Sequence, residues 1–227
     1  MFDERHHLTS ARCASCGGSE FIASKFRTNA SNRPQCAQCG SLERHRMVRS
    51  LYEKITPMLK RWRALQFAPD QSTNPSWFAE FRGSTYGTSD GLDMMDTKLP
   101  DAAFDIVISN HVLEHVSDDG QALREMIRLV GGAGIVQVTI PSPVWRWETL
   151  DWGFADPDKN WHYRDYGADF PSYALRHLGE CQCLSASVCD PVTGLADVVY
   201  FFSRTPDRLA DMAAIWQRIP IALVRHC

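Results

Sequence analysis

The sequence predicts an α/β fold with one parallel sheet, preceded by a small cysteine-rich segment. Strand-like apolar runs alternate with stretches of helical periodicity from about residue 47 onward, which predicts parallel strands joined by right-handed crossovers. Four of the eight cysteines form two C-x2-C pairs near the N-terminus, apart from that alternating region. The length of 227 residues suits one such domain with a small appendage. We therefore expect a cysteine-rich segment over residues 1–46 and an α/β domain over residues 47–227.

The first predicted element of the α/β domain is a helix that buries one face and ends near Pro57. That face carries Met47, Val48, Leu51, Tyr52 and Ile55. The remaining elements are a strand over 63–68, a helix around Trp77, Phe78 and Phe81, a strand over 84–88, a strand over 104–109, a helix from 117–119 to Gly131, a strand over 135–140, closing strands over 181–188 and 196–203, and a final helix from Pro206.

The composition is that of an ordinary globular protein, with 44% hydrophobic and 22% charged residues. The net charge of −3 lacks the basic excess typical of nucleic-acid-binding proteins. The first ten residues contain no apolar core of a secretory signal, and no apolar run is long enough to span a bilayer. We therefore expect a cytoplasmic protein with reduced thiols and no membrane partner.

The two cysteine pairs have the spacing of a structural zinc site. Cys13 and Cys16 form one C-x2-C turn, and Cys36 and Cys39 form the other after 19 intervening residues. Each turn brings two thiolates onto one edge of a tetrahedron, and glycines follow both turns. Four thiolates leave no open coordination position, so the ion would stabilise the fold rather than catalyse a reaction.

Ligands of open α/β sheets bind at the carboxyl ends of the strands. In this sequence one such end carries a specific motif. Asp96-Thr-Lys-Leu-Pro-Asp-Ala-Ala-Phe-Asp105 leads into the strand that ends at Ser109, and Asn110-His-Val-Leu-Glu-His115 follows it. These residues resemble class I S-adenosylmethionine (SAM)-dependent methyltransferases over about residues 63–205. The resemblance implies a Rossmann-like sheet and SAM as a substrate.

Three further segments are similar to a bacterial methyltransferase subgroup with an N-terminal zinc ribbon. They are Cys36-Ala-Gln-Cys-Gly-Ser-Leu-Glu-Arg-His-Arg46, Leu65-Gln-Phe-Ala-Pro-Asp70 and His162-Tyr-Arg-Asp-Tyr-Gly-Ala-Asp-Phe170. By this resemblance, residues 1–46 are the zinc ribbon.

The resemblance also implies the residues that bind SAM. Asp90 would bind the ribose hydroxyls, Asp96 and Thr97 would lie at the adenine, and Asn110 and His111 would line the floor of the site. The usual glycine-rich loop after the first strand is missing, because the chain reads Phe67-Ala-Pro-Asp-Gln-Ser72. We expect Gln66, Gln71, Arg44 or His45 to hold the methionine part of SAM instead.

Aromatic residues are concentrated in residues 145–166, which we call the aromatic segment. They are Trp145, Trp147, Trp152, Phe154, Trp161, Tyr163 and Tyr166. They form either a minor hydrophobic core or a cage that binds the SAM sulfonium by cation–π contacts, with Trp161 and Tyr163 the first candidates. The candidate catalytic residues are His111, His162, Tyr163 and Tyr166. Glu114 is expected to be a solvated charge, and His115 either a brace or a site residue.

Three functions are compatible with these patterns. The first is methyl transfer from SAM to a small molecule. The second is intramolecular cyclisation of SAM with release of methylthioadenosine, because azetidine-2-carboxylate synthases are similar to small class I methyltransferases. The third is nucleic-acid binding by the zinc ribbon, whose local positive charge comes from Arg27, Arg33, Arg44, His45, Arg46 and Arg49.

Overall fold

A computed structural model of the chain describes residues 11–23, 34–141 and 145–226; Arg27, Arg33 and Cys227 lie outside these ranges. The strands are β1 Phe21–Ala23, β2 Pro34–Cys36, β3 Arg63–Phe67, β4 Glu80–Ser84, β5 Ile106–Asn110, β6 Ile135–Thr139, β7 Leu150–Asp156, β8 His162–Asp165, β9 Gln182–Cys189, β10 Ala196–Ser203 and β11 Ala222–His226. The α-helices are α1 Glu43–Leu59, α2 Asp119–Val130, α3 Phe170–Leu178 and α4 Pro206–Trp216. No helix within the described ranges is long and apolar enough to cross a membrane.

The central sheet has seven strands in the order β11-β9-β10-β6-β5-β3-β4. Strands β4, β3, β5 and β6 are parallel, as predicted, whereas β10, β9 and β11 are each antiparallel to their neighbours. The predicted parallel sheet is thus found in these four strands, and the predicted closing pair, β9 and β10, is antiparallel. Residues 190–195 join β9 to β10, and six residues are too few for the crossover that parallel strands need.

Helices cover both faces of this sheet. On one face, Leu51 and Ile55 of α1 pack in the same apolar cluster as Met212 and Trp216 of α4. On the other face, apolar residues of α2 and α3 form a second cluster with β5, β6 and β10. The molecule is thus a three-layer α/β/α sandwich, and the predicted buried face of α1 is confirmed.

The ends of α2 follow the predicted signals. The Asp118 carboxylate accepts a hydrogen bond of 2.7 Å from the Gln121 backbone N–H, which caps the first turn. Gly131, with φ of 62°, ends the helix in the left-handed region.

The predicted helix around Trp77, Phe78 and Phe81 is absent, and the next strand lies earlier than predicted. A short 3-10 turn over Pro75–Trp77 leads directly into β4, which ends at Ser84 instead of beginning there. Trp77 and Phe78 are buried against Tyr52 of α1, so their hydrophobicity reflects core packing of an irregular connection. Residues 85–105 form neither helix nor strand.

The hairpin of β7 and β8, helix α3 and the edge strand β11 were not predicted. The hairpin forms a separate two-stranded sheet within the chain that follows β6. It contains most of the aromatic segment.

Candidate functional site

Asn110 is the last residue of β5, and three polar side-chain atoms fix its amide. Its Nδ2 donates to Ser72 Oγ at 2.8 Å, and its Oδ1 accepts from Gln137 Nε2 at 3.0 Å and Thr139 Oγ1 at 3.1 Å. Gln137 in turn accepts a hydrogen bond from the Tyr52 hydroxyl. The network runs from α1 across the sheet and fixes the predicted floor of the site.

A small cleft, which we call the strand-end cleft, lies beside this network and encloses about 140 Å³. It is lined by Arg44, His45, Val48, Asp70, Ser72, Asn110 and Thr139. Pockets that hold a whole small-molecule ligand or cofactor usually exceed about 300 Å³. This cleft is smaller than such a pocket, and its volume includes space open to solvent.

The first turn of α1 brings Arg44 and His45 to this cleft, where the sequence placed them as alternatives to a glycine-rich loop. His45 Nε2 lies 3.6 Å from Asp70 Oδ2. Burial lowers the pKa of His45 to about 4, against the opposing effect of the Asp70 charge, so the imidazole is neutral at neutral pH.

The loop after β3 makes its sharp bend without glycine. Ala68 has φ of 46°, in the left-handed region that non-glycine residues seldom adopt. Pro69 packs against Gly83 so closely that a Cβ there would lie 2.6 Å from the Pro69 ring. Asp70 Oδ1 accepts hydrogen bonds from the Ser72 N–H and from Gln66 Nε2. Gln66 is fully buried, so it supports the loop from inside.

Two predicted carboxylates lie on the exposed segment 85–98. Asp90 is exposed six residues beyond the end of β4, and its Oδ1 accepts a hydrogen bond from Thr88 Oγ1 at 3.1 Å. Asp96 is also exposed and pairs with Lys98. Thr97 instead points inward, because its backbone N–H and hydroxyl both donate to Glu125 of α2. Of the adenine pair, only Asp96 is available at the surface; this corrects the role given to Thr97.

Glu114 and His115 lie in a 3-10 turn just after β5, and the structure corrects the expectation that Glu114 is solvated. Its side chain is only 1% exposed, and burial raises its pKa to about 8. His111 has φ of 52°, and its Nδ1 lies 3.7 Å from Glu114 Oε1. The His115 ring packs edge-on against the His162 ring at a centroid distance of 4.6 Å.

Tyr166 is not placed to act as a catalytic base. It is 2% exposed, and its hydroxyl donates to Asp119 Oδ2 at 2.6 Å. Burial raises the pKa of this phenol well above its usual range, and the Asp119 charge raises it further. The buried Arg164 guanidinium, which binds Asp151 and two carbonyls of the turn after β5, completes the cluster. Tyr166 therefore belongs to the packing that fixes the hairpin.

The other rings of the aromatic segment do not form a closed cage in this structure. Trp145, Trp147 and Trp161 are 79%, 85% and 62% exposed. The Trp152 ring already has the Lys159 ammonium 4.2 Å from its centroid, and its N–H donates to the His162 carbonyl. A sulfonium cage would require these exposed rings to close over a ligand, so it stays a prediction.

The four cysteines of the two pairs, here the cysteine cluster, lie together. Cys13 Sγ lies 3.7 Å from Cys39 Sγ, and Cys16 Sγ lies 3.6 Å from Cys36 Sγ. A tetrahedral zinc ion with Zn–S bonds of about 2.3 Å sets its sulfur atoms about 3.8 Å apart. These distances fit a zinc site, whereas a disulfide bond would need about 2.0 Å.

Two glycines give the cysteine turns their shape. Gly17 and Gly40 have φ of 78° and 74°, as the predicted tight turns require. Their N–H groups donate to the Cys13 and Cys36 carbonyls. Burial acts to raise the pKa of Cys13, but hydrogen bonds from Ser41 and nearby backbone groups outweigh it and lower the pKa to about 6.

The basic residues proposed for nucleic-acid binding are largely engaged within the fold. Arg46 is fully buried and binds Asp190. Arg49 lies over the Trp77 ring and pairs with Glu53. Arg27 and Arg33 lie outside the described ranges. The described arginines at the start of α1 therefore face the interior or the strand-end cleft.

Part of the chain is similar to known methyltransferases. Residues 55–138 match the family model described as a methyltransferase domain. A probable S-adenosylmethionine-dependent methyltransferase of Mycobacterium tuberculosis is 31% identical over 77 residues, which are 34% of this chain and 27% of the relative. Ajmaline N-methyltransferase of Rauvolfia serpentina is 34% identical over 76 residues, which are 33% of this chain and 26% of that enzyme.

The matched residues 55–138 contain β3, β4, β5 and the motif around Asn110. The chain spans about a quarter of the length of the curated relatives it matches. Among solved structures, the 1,6-didemethyltoxoflavin-N1-methyltransferase of Burkholderia thailandensis superposes with a TM-score of 0.46 at 16% identity, covering 70% of this chain and 78% of that one.

Proposed function

We propose that this protein transfers the methyl group of SAM to a small-molecule acceptor. The most direct support is the match to the methyltransferase-domain model over residues 55–138. This range includes Asp70, Ser72 and Asn110, which line the strand-end cleft. Named relatives with this domain include an N-methyltransferase of a plant alkaloid. The proposal that the methyl acceptor is a small molecule is taken from the name of this relative.

The residues at the strand ends fit SAM in two parts. The strand-end cleft holds the Arg44 guanidinium beside the polar Asn110 network, and a guanidinium binds a carboxylate such as that of the methionine part. The exposed carboxylates of Asp90 and Asp96 provide acceptors for ribose hydroxyls and the adenine amino group. The cleft is too small for all of SAM, so in this proposal the adenosine lies outside it, over segment 85–98.

Methyl transfer from SAM is an in-line displacement at an electrophilic methyl group, so the protein acts mainly by positioning. The Asn110 network holds the floor of the proposed SAM site, and the bent loop after β3 forms one of its walls. His111 stands directly after β5 and is half-buried, so it is the candidate to accept a proton from the acceptor. Burial lowers the pKa of His162, and the neighbouring His115 lowers it further, so His162 is also a neutral candidate.

The test is a mass-spectrometric assay of the nucleoside product. The full-length protein is incubated with SAM, first alone and then with panels of small amines, phenols and carboxylates. Acceptor-dependent formation of S-adenosylhomocysteine supports methyl transfer. Absence of both SAM binding and S-adenosylhomocysteine formation would contradict the proposal.

Cyclisation of SAM is a second candidate because the loop after β3 has no glycine and bends through Ala68 instead. The contacts that a glycine-rich loop makes with the aminobutyryl chain of SAM, and that keep this chain extended, would then differ. The same assay separates the two reactions. Methylthioadenosine formed from SAM alone would favour the cyclase, whereas acceptor-dependent S-adenosylhomocysteine would exclude it as the main reaction.

We also propose that the cysteine cluster holds one structural zinc ion. The support is the pair of sulfur separations near 3.7 Å and the two glycine turns. A four-thiolate site needs reduced cysteines, which agrees with a cytoplasmic location.

A further inference from the structure

Three side chains that can bind metals meet beside β5, apart from the cysteine cluster. They are Glu114, His115 and His162, and one ligand atom from each lies within 4.8 Å of the others. Glu114 and His115 belong to the turn after β5, and His162 begins β8 of the hairpin. The cluster therefore joins two elements that are distant in sequence.

Glu114 carries the strongest sign that this cluster is incomplete. The side chain is 1% exposed, and within the described ranges its Oε2 has no hydrogen-bond partner. The other oxygen, Oε1, lies 3.7 Å from His111 Nδ1, so only Oε2 lacks a partner among the described residues. A buried carboxylate oxygen without a partner is costly, and buried carboxylates are usually paired or bound to a metal. Its position in the cluster directs it toward the two imidazoles.

Both histidines have partners that orient them as metal ligands are oriented. His115 forms a hydrogen bond with the Trp161 backbone, and His162 Nδ1 faces Asp165 Oδ1 at 3.9 Å. Ligating histidines usually direct one ring nitrogen to a carbonyl or carboxylate and the other to the metal.

We propose that Glu114, His115 and His162 bind a divalent first-row transition-metal ion. Two imidazoles and one carboxylate suit ions such as Mn²⁺, Fe²⁺ or Zn²⁺, whereas four thiolates select zinc. Metal–ligand distances of about 2.1 Å would draw the three atoms closer by side-chain rotation. Three protein ligands leave coordination positions open. The exposed edge of His115 gives the ion a path from solvent.

The bound ion would also fasten the β7–β8 hairpin to the strand ends. The His115–His162 ring contact joins the turn after β5 to strand β8 on this side. Arg164 of β8 makes a second link to that turn nearby. A metal bond at His162 adds a link that holds the hairpin beside the site. If the ion binds, His162 is a ligand and not the base. The metal site itself does not depend on the reaction proposed above.

The test is a titration of the purified full-length protein with Mn²⁺, followed by electron paramagnetic resonance of the free ion. Mn²⁺ is chosen because thiolate sites disfavour it. We expect about one bound Mn²⁺ per chain, with binding at least tenfold weaker in His162→Ala and in Glu114→Gln. His226→Ala, which removes a histidine on β11, should leave Mn²⁺ binding unchanged.

A second readout covers the possibility that Glu114→Gln fails to fold. Mn²⁺ should slow amide hydrogen exchange in residues 150–165 of the wild type and not in His162→Ala, whose fold is checked by circular dichroism. The proposal would be overturned if wild-type protein at millimolar concentration did not reduce the electron paramagnetic resonance signal of free Mn²⁺. Equal binding by wild type and folded His162→Ala would overturn it as well, since the ion would then lie elsewhere.

Discussion

Arg46 and Asp190 form a bidentate ion pair in which both side chains are fully buried. Arg46 Nε and Nη2 donate to the two Asp190 oxygens, each at 2.8 Å, and Nη1 donates to the Ser41 carbonyl. Asp190 also accepts from the Thr193 hydroxyl in the turn between β9 and β10. The pair therefore joins the chain between the cysteine cluster and α1 to the antiparallel half of the sheet.

Replacing Asp190 with Ala should destabilise the fold by about 3–5 kcal/mol, because it leaves a buried guanidinium without its counter-ion. Denaturant unfolding measures the change. Asp101→Ala is the matched control, since it breaks the exposed Asp101–Arg128 pair and should cost less than about 1 kcal/mol. Equal effects of the two substitutions would show that the buried pair contributes little.

The cysteine cluster should contain about one zinc per chain. Cys36→Ser should lose most of the metal, because one of four thiolates is removed, whereas Cys189→Ser, at an exposed cysteine, should retain it. Plasma emission spectrometry of purified protein gives the zinc content. A metal-free wild type that is fully folded would refute the zinc site.

Asp90→Ala should weaken SAM binding at least tenfold, since each charge-assisted hydrogen bond contributes about 1.5–3 kcal/mol. Asp96→Ala should weaken it by a similar factor through the adenine. Isothermal calorimetry measures both dissociation constants. Asp207→Ala is the control because Asp207 is exposed in the first turn of α4, at the opposite edge of the sheet. Unchanged affinity in both test variants would mean that SAM binds elsewhere.

Trp161→Leu and Tyr163→Leu test the sulfonium cage. If the rings close over SAM, each variant should lose about 0.5–2 kcal/mol of SAM affinity, since cation–π attraction depends on the positive sulfonium. S-adenosylhomocysteine carries no such charge, so its affinity should change little. Titration of each variant with both ligands makes the comparison. Equal losses would identify the rings as packing groups.

Glu125 should make the free energy of unfolding depend on pH in the acid range. Its hydrogen bond to Arg128 and its bonds from Thr97 lower its pKa from 4.5 to about 2. The stabilisation is present above about pH 4.5 and is lost as the pH falls toward 2. Acid unfolding followed by circular dichroism should therefore show a smaller loss over this window for Glu125→Gln than for wild type. An identical loss would assign the acid sensitivity to other groups.

The repetitive parts of the fold were predictable from local patterns. Strands β3, β5 and β6 are short, largely apolar segments, and α2 has both a capping Asp118 and a terminal Gly131, so their signals need no tertiary information. The region around Trp77 was misread because aromatic residues packed in an irregular connection resemble a buried helix face. The hairpin was missed because β7 is mostly exposed and lacks an alternating pattern.

Part of the candidate site is visible in sequence for a similar reason. Asn110 ends β5 and His111 follows it, and a strand end can be located from local pattern. The burial of Glu114 depends on the hairpin that covers it, and contact between His115 and His162 joins residues 47 positions apart. Such contacts are set by tertiary packing. The Glu-His dipeptide beside a strand end was the one local signal that pointed to them.

The edge strand β4 bears on how the protein behaves at high concentration. Within the described part of the chain, no strand pairs with its outer side, so its backbone groups are open to a strand from another molecule. The strand has only five residues, and Glu80 and Arg82 are exposed charges along it. A short, charged edge resists intermolecular sheet extension. Glu80 and Arg82 therefore protect this end of the sheet from pairing with a strand of another molecule.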